Sequence, residues 1–336
     1  MKWILPVDRI TAKDRRRVGG KTYSLHRLHA AGMPVPKTVC ITTDAYNAFL
    51  DRTGLRERIQ LELHRKDLGD MRWEEIWDCA TRIRNLFLRP PLPAELENTL
   101  SGFLQDTFSD GPVAVRSSAP DEDAAAHSFA GLHASYLNIR GTASILKQVR
   151  KVWASLWSDA ALLYRQELGL DIEKSAMAVI VQELIEGDVS GVTFTRAPQR
   201  RTVGVVEAVY GLNAGLVDGA VEPDRWIIGR KDGAVREHRK TVREQQVSLS
   251  AAGGVHLQAV SRRRQTVPPL TDEQVGVLFQ CCLQIETKLG RAQDVEWTRR
   301  RDEFIFLQAR PVTTDRGEGD QRSWYLSLHR SFENLQ

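Results

Sequence analysis

Two runs of mixed apolar and polar residues near the C-terminus predict a β-hairpin. They are Asp294–Trp297 and Phe304–Pro311, and the polar segment Thr298–Glu303 between them carries three arginines. Short runs rich in aromatic and β-branched residues around a polar turn are typical of two antiparallel strands. The strands hold side chains more rigidly than a loop would, so polar groups on this hairpin can form a fixed site.

The hairpin carries three side chains with relevant chemistry. Glu296 and Gln308 offer oxygen atoms that suit a hard cation such as Mg²⁺. The planar guanidinium of Arg310 suits a phosphate group. These residue types indicate a site that holds a metal ion and a phosphate together. An ordinary edge hairpin with a solvated face is the alternative.

A glycine pair precedes a predicted helix in the segment 19–31. Apolar residues recur there at helical spacing, at Tyr23, Leu25, Leu28 and Ala31, and Gly32 can end the helix. Free backbone N–H groups at the helix start, with the charge of Lys21, favour phosphate binding. The P-loop pattern GxxxxGK[ST] does not match, because Arg15 stands where it needs glycine. A capped surface helix is the alternative.

A second candidate phosphate site follows a short apolar strand at 113–115. This strand leads into Arg116 and two serines, then into three acidic residues and a polar loop that closes on a glycine. Such a loop can fold over phosphates. The alternative for Arg116 is a salt bridge to its own acidic loop. His127 and His133 are interpreted as plain loop histidines.

Periodicity predicts the remaining elements. Helices are expected at 44–63, 73–88, 94–107, 142–168 and 271–289. Strands are expected at 38–43, 176–185, 190–195, 202–209, 226–228 and 234–247. The stripe in the second helix is interpreted as core, with Trp73, Ile76, Trp77, Ala80, Ile83 and Phe87. The segment 248–270 is expected to be a loop, and its three arginines a solvated surface.

Composition excludes several classes of protein. The 336 residues are 42% hydrophobic and 27% charged, which is typical of a globular protein with two or three lobes. A net charge of +4 is too small for a nucleic-acid binder. No apolar run is long enough to span a membrane, and the N-terminus does not resemble a signal peptide. The four cysteines form no CxxC pair, so we expect a cytoplasmic protein without zinc.

Five motifs, taken in order, resemble the ATP-binding domain of the dikinases. They are GGKTYSLHRLHAAGMPVP, VAVRSSAPDEDAAAHSFAGLHASYLNI, VIVQELIEGDVSGVTFTRAP, EAVYGLNAGLVDGAVEPD and DVEW…FIFLQARPVT. This family includes phosphoenolpyruvate synthase, pyruvate phosphate dikinase and rifampicin phosphotransferase. The resemblance covers about residues 10–315. It implies an α+β, ATP-grasp-like fold with the nucleotide between two lobes, 1–180 and 181–315, and a C-terminal tail, 316–336.

The resemblance also implies roles for individual residues. The phosphate-binding and catalytic positions would be Lys21, Arg116 and Arg310, with Arg310 at the γ-phosphate. The Mg²⁺ ligands would be Glu296 and Gln308. The adenine hinge would comprise Gln182, Glu183, Leu184 and Ile185. Glu207 would lie near the ribose, and Gly131 in the loop that covers the phosphates. Two departures from the family pattern, at Leu132 and at Asn213-Ala214, affect this loop and the ribose end.

The family reaction implies a partner. In it, ATP is cleaved to AMP and phosphate, and the β-phosphoryl group passes to a histidine on a swivelling domain. No histidine of this sequence lies in the family's Thr-Ser-His type motif. We therefore expect a separate histidine-bearing subunit, as in the two-component aryl phosphate synthases that phosphorylate phenol or a cresol. The predicted helix Trp324–Leu335 could dock to it or pack on its own lobe.

Two other functions remain open at this point. A non-catalytic module that senses ATP would bind the nucleotide without turnover. An ordinary ATP-grasp ligase would release ADP through an acyl phosphate.

Overall fold

The computed structural model describes residues 3–120, 133–197 and 200–312. Its strands are β1 Ile4–Pro6, β2 Thr38–Ile41, β3 Val113–Ser118, β4 Ser135–Ile139, β5 Ala178–Glu183, β6 Val189–Phe194, β7 Val203–Tyr210, β8 Asp224–Gly229, β9 Val235–Arg239, β10 Gln245–Leu249, β11 Val255–Ala259, β12 Gln293–Arg300 and β13 Glu303–Pro311. Its α-helices are α1 Arg15–Ala30, α2 Thr43–Thr53, α3 Leu55–Leu63, α4 Trp73–Leu88, α5 Ala94–Phe108, α6 Thr142–Ser155, α7 Asp159–Glu167, α8 Ala214–Val217, α9 Arg262–Thr266 and α10 Asp272–Leu289.

Two antiparallel sheets organise the chain. The first has five strands in the order β1-β2-β5-β3-β4, and the second has six in the order β13-β12-β6-β7-β8-β9. Helices α2 to α6 and the start of α7 bury apolar side chains against the first sheet, while α1 and α10 contribute to the core of the second. The boundary predicted at 180/181 falls inside β5, and the second sheet begins at Val189. The division into lobes at that position stays a prediction.

Several predicted elements are confirmed. Helices α4, α5 and α10 lie within a residue or two of the predicted bounds. The β12–β13 hairpin is also present, but β12 continues three residues past Trp297, to Arg300, so the turn is shorter than predicted. Strands β2, β3, β5, β6 and β7 also lie where apolar runs predicted them. Gly32 has φ of +77° directly after α1, as expected of a residue that ends a helix.

Two long predicted helices are wrong, because each is broken into two. Gly54 adopts φ of +63°, which ends α2 and starts α3 at a new angle. The second break lies between α6 and α7, where the Ser158 hydroxyl accepts a hydrogen bond from the Ala161 N–H at 3.2 Å. A serine cap of this kind starts a new helix. Apolar periodicity continues across both breaks and therefore does not reveal them.

The apolar stripe of α4 was predicted too wide. Ile76, Ala80 and Ile83 are buried, but Trp73 and Trp77 are 38% and 47% exposed. Trp77 follows the buried Ile76 by one residue, which is about 100° around a helix, and so points away from the core. The prediction that both tryptophans belong to the core is wrong.

The segment 248–270 is not a loop. It contains β11 and α9, and β11 pairs with β10 in a separate two-stranded ribbon. Strand β10 therefore does not continue the β8–β9 ladder, as the predicted strand 234–247 implied. Asn138 on β4 fixes the turn of this ribbon, since its amide donates to the carbonyls of Ser250 and Gly254 at 2.7 and 2.8 Å. No local sequence pattern encodes that distant contact.

Replacing Thr271 with alanine is expected to lower the free energy of unfolding by about 1 kcal/mol. Its hydroxyl accepts from the Gln274 N–H at 3.2 Å, and the Gln274 side chain accepts from the Thr271 N–H at 3.0 Å. This capping box starts α10, which packs against the second sheet. Urea unfolding measures the loss. Thr287→Ala, at an exposed position inside the same helix, is the control; equal losses in both variants would refute a specific role for the cap.

Candidate functional site

A kink in α1 is fixed against the end of β3. Gly19 has φ of +75°, a non-helical value that divides α1 into a short first segment and a longer second one. The Ser118 hydroxyl donates to the Val18 carbonyl at 2.7 Å and accepts from the Thr22 N–H at 3.1 Å. This contact places the Lys21 ammonium 3.2 Å from the Ser117 hydroxyl, beside Arg116. The two candidate phosphate-binding segments therefore lie side by side.

The β12–β13 hairpin presents four polar side chains on one face. Glu296 pairs with Gln308 and Asp294 pairs with Arg310 in the antiparallel register. Directly opposed residues share a face, and so do residues two apart on one strand. Beyond Gln308 the register shifts, so Trp297 pairs with Phe306. The Trp297 ring is buried on the opposite face.

Ion pairs connect this hairpin with itself and with the first sheet. Arg116 on β3 donates to the Glu296 carboxylate at 3.2 Å, and Arg310 donates to Asp294 at 2.8 Å. The Asn213 amide also donates to Glu296, at 3.4 Å. The Arg116 and Glu296 side chains are 20% and 12% exposed, so water screens their pair only partly. The alternative partner for Arg116, its own acidic loop, lies outside the described residues.

The two carboxylates differ in their electrostatics. Burial by itself raises the pKa of Glu296, but Arg116, Arg310 and Lys21 outweigh it and hold the pKa below its usual range. Burial raises the pKa of Asp294 above its usual value, and Arg310 does not compensate fully. The cations of the cluster therefore favour the charged form of Glu296 in particular.

A cavity of about 180 Å³ adjoins the Arg116–Glu296 pair. Its lining comes from both sheets and includes Ala114, Arg116, Leu137, Gln182, Glu183, Leu184, Ile185, Leu212, Asn213, Glu296 and Leu307. All four predicted hinge residues are thus at one cavity with Arg116 and Glu296.

A larger crevice of about 540 Å³ lies between Leu63–Leu68 and Gly169–Glu173, and it contains none of the predicted site residues.

The hinge is tied into the protein by its own hydrogen bonds. The N–H groups of Glu183 and Leu184 donate to the carbonyls of Lys37 and Pro112 at 2.8 and 2.9 Å. The buried Gln182 amide donates to the Thr38 hydroxyl at 3.2 Å. These donors are used within the protein, so the hinge offers a ligand its apolar side chains and its remaining backbone groups.

The structure does not bring every predicted residue to the cavity. Lys21, Gln308 and Arg310 are not among the residues that line it. Lys21 contacts Ser117 instead, and Gln308 and Arg310 lie opposite Glu296 and Asp294 on the hairpin. Glu207 stands on the same sheet face as Glu296, across Val192, and its carboxylate lies 3.6 Å from Arg225. Gly131 and the helix predicted at Trp324–Leu335 fall outside the described residues.

Three residues that contact predicted site residues had been assigned no binding role. They are Asp294, Ser117 and Asn213, which contact Arg310, Lys21 and Glu296 respectively. Asp294 could have been found, since it precedes Glu296 by two residues on a predicted strand and must share its face. The contact between Asn213 and Glu296 joins residues 83 apart and has no local signal.

The donor set fits a magnesium ion. Glu296, Asp294 and Gln308 present oxygens on one face, and the buried Oδ1 of Asp294 has no hydrogen-bond partner among the described residues. The structured ranges contain no cluster of three or more Asp, Glu, His or Cys side chains suited to a metal. Mg²⁺ does not need one, because it is commonly held by one or two carboxylates, water and the phosphates of its substrate.

Comparison with known proteins decides the family. The family described as "Pyruvate phosphate dikinase, AMP/ATP-binding domain" matches residues 15–324. The chain belongs to this family. The resemblance stated from the motifs is thereby confirmed. Over the residues that the structure describes, no helix combines the length and apolarity needed to cross a membrane.

Curated relatives of this family member are longer proteins. A probable phosphoenolpyruvate synthase of Methanocaldococcus jannaschii is 34% identical over 94% of this chain, which spans 27% of that protein. A rifampicin phosphotransferase of Streptomyces sviceus is 34% identical over 93% of this chain, which spans 36% of it. A prodigiosin-synthesizing transferase of Serratia marcescens is 32% identical over 90% of this chain, which spans 32% of it. The chain thus corresponds to about a third of each.

The likeness to solved structures is weak. A crystal structure from Pyrococcus horikoshii covers 90% of this chain at a TM-score of 0.36 and 13% identity. A score this low carries no argument about the fold.

Proposed function

We propose that this chain is the ATP-binding catalytic part of a split dikinase. It would cleave ATP to AMP and phosphate and pass the β-phosphoryl group to a histidine of a partner subunit. The histidine nitrogen would attack the β-phosphorus as AMP leaves, which gives a pyrophosphoryl-histidine. Water would then cleave the bond between the β- and γ-phosphates, so that free phosphate leaves and the β-phosphoryl group stays on the histidine. The partner would then transfer the group to a small acceptor, either a phenol or cresol or pyruvate.

One observation carries this proposal. Arg116 of the first sheet donates to the candidate metal ligand Glu296 of the second sheet, and Lys21 of α1 lies beside Arg116, at Ser117. The Arg116–Glu296 pair lies at the edge of a cavity lined by the four hinge residues. An ATP-grasp-like arrangement, with the base in this cavity and the phosphates towards α1, is consistent with these positions.

The proposed roles follow from charge. Phosphoryl transfer depends mainly on positioning and on neutralising phosphate charge. Lys21, Arg116 and Arg310 would hold the phosphates. Glu296 and Gln308 would hold Mg²⁺, which when bound neutralises charge on the phosphate oxygens. Asp294 would position Arg310 through their ion pair.

The proposed function is tested by identifying the nucleotide product and by locating the radioactive β-phosphate after the reaction. The chain is incubated with Mg²⁺ and β-³²P-ATP, alone and with a histidine-bearing swivel-domain protein from the same genome. The proposal predicts AMP, free phosphate and acid-labile label on the partner, all only in the mixture. Formation of ADP would refute it and indicate a kinase or a ligase. Binding of ATP without turnover in either tube would instead support an ATP-sensing module.

Replacing Lys21 with alanine is expected to weaken Mg-ATP binding and lower the transfer rate, together by about 100-fold in kcat/KM. The ammonium lies just after the Gly19 kink in α1, beside Ser117, where the N-terminus of the second helical segment also favours phosphate. Loss of one charge-assisted hydrogen bond to a phosphate costs about 1.5–3 kcal/mol. Steady-state kinetics measure the effect, and the exposed Lys13, eight residues upstream, provides the control Lys13→Ala. Matching kinetics in the two variants would exclude this role.

A further inference from the structure

The two carboxylates of the site are already paired with arginines before any ligand binds. Three cations, Lys21, Arg116 and Arg310, face the two carboxylates of Glu296 and Asp294, and both arginines are engaged with those carboxylates. The groups suited to phosphate are thus paired with the groups suited to metal. A phosphate must therefore displace a carboxylate from its arginine, and a metal ion must displace an arginine from its carboxylate.

Of the two ion pairs described at the site, Arg116–Glu296 joins the first sheet to the second. It links β3 to β12 across 180 residues of sequence and lies at the edge of the cavity. The Asn213 amide donates to the same Glu296 oxygen, Oε2, and both donors thereby orient this carboxylate. Arg116 has no other ion-pair partner among the described residues.

We propose that Glu296 makes the site selective for the metal-complexed nucleotide by holding Arg116 until a metal ion replaces it. A divalent cation at Glu296 satisfies the carboxylate and repels the guanidinium. Arg116 is then free to bind a phosphate oxygen. A nucleotide without metal offers no substitute for the guanidinium, so it must leave Glu296 unpaired in a partly buried site. This inference rests on the proposed function and adds a specificity role to Glu296.

Replacement of Arg116 by a metal ion at Glu296, hereafter the exchange, predicts an effect that loss of a metal ligand alone would not have. Glu296→Gln keeps the shape of the side chain but removes its charge, so Arg116 is no longer held. The variant should bind metal-free nucleotide more tightly than the wild type, on the order of tenfold, because the arginine is already available. A residue that acted only as a metal ligand would leave metal-free binding unchanged.

The test uses calorimetry with β,γ-imido-ATP, once in EDTA and once with Mg²⁺. Each variant then yields a ratio of the two dissociation constants, which is large for the wild type. In Glu296→Gln this ratio should fall at least tenfold, through tighter metal-free and weaker Mg²⁺-dependent binding. Thermal unfolding of each variant verifies that it is folded.

Two further variants separate the exchange from a general charge effect. Asp218→Asn removes one negative charge from the exposed rim of the same cavity, and no ion pair joins Asp218 to Arg116 in the described structure. If simple repulsion governs binding, this control gains metal-free affinity as much as Glu296→Gln does, and the inference is wrong. In the double variant Arg116→Gln with Glu296→Gln, the gain should disappear, because it depends on the freed guanidinium.

The outcomes distinguish this inference from the proposed function. If the wild type binds the Mg²⁺ complex but Glu296→Gln shows no gain in EDTA, the inference is overturned and the proposed function stands. If the wild type binds the nucleotide under neither condition, both are overturned. A gain confined to Glu296→Gln and lost in the double variant supports the exchange.

Discussion

Replacing Glu296 with alanine is expected to lower the rate of phosphoryl transfer by about 10³-fold or more. The carboxylate is the central group of the site: it pairs with Arg116 and Asn213 and lies opposite Gln308. Its loss would remove a proposed metal ligand and leave Arg116 without its partner. A metal ion contributes several kcal/mol to charge stabilisation, and each 1.36 kcal/mol is about tenfold in rate.

Rapid quench of the mixture with the partner measures this rate as AMP formed per second. Glu303→Ala is the matched control, since Glu303 is exposed near the turn of the same hairpin and pairs in register with Arg300. It should retain the wild-type rate. A Glu296→Ala variant that transfers phosphate normally would refute the assigned role. If the wild type binds ATP without turnover, and Glu296→Ala changes only the affinity, the result would favour an ATP-sensing module.

Replacing Gly19 with alanine is expected to lower the free energy of unfolding by more than about 3 kcal/mol. A Cβ atom at this position would lie 2.0 Å from the Ser118 carbonyl oxygen and 2.6 Å from its hydroxyl. The φ of +75° adds a backbone cost of about 1–2 kcal/mol for a residue with a side chain. To relieve this clash, α1 would have to move away from β3, and this movement would also displace Lys21.

The variant Gly32→Ala separates the backbone cost of a positive φ from the steric clash with Ser118. Gly32 has nearly the same φ, +77°, but no atom lies within 4 Å of a Cβ built there. It should therefore lose only the backbone contribution of about 1–2 kcal/mol. Urea unfolding of both variants gives the difference, which measures the close approach of α1 to β3. Equal losses would show that this approach is loose and that Gly19 is needed only for its conformation.

The structure brings predicted site residues together where short motifs and the family resemblance singled them out. The residues around Lys21, Arg116, the hinge and the β12–β13 hairpin were each selected from a few consecutive positions, and Arg116, Glu296 and the hinge adjoin one cavity. Prediction failed where the exposure of a side chain or the pairing of a strand depended on distant residues. The exposure of Trp73 and Trp77 and the pairing of β10 with β11 are examples.

The sequence by itself determined the local elements: the hairpin, the helix that follows the glycine pair, and the capped α10. Their signals lie in neighbouring residues, through strand alternation, backbone freedom and side-chain capping. Only the tertiary structure decided which cation meets which carboxylate. The Arg116–Glu296 pair, for example, joins residues that are 180 positions apart in the sequence. Strand order and register bring these two charges together, and both depend on packing across the whole chain rather than on any local pattern.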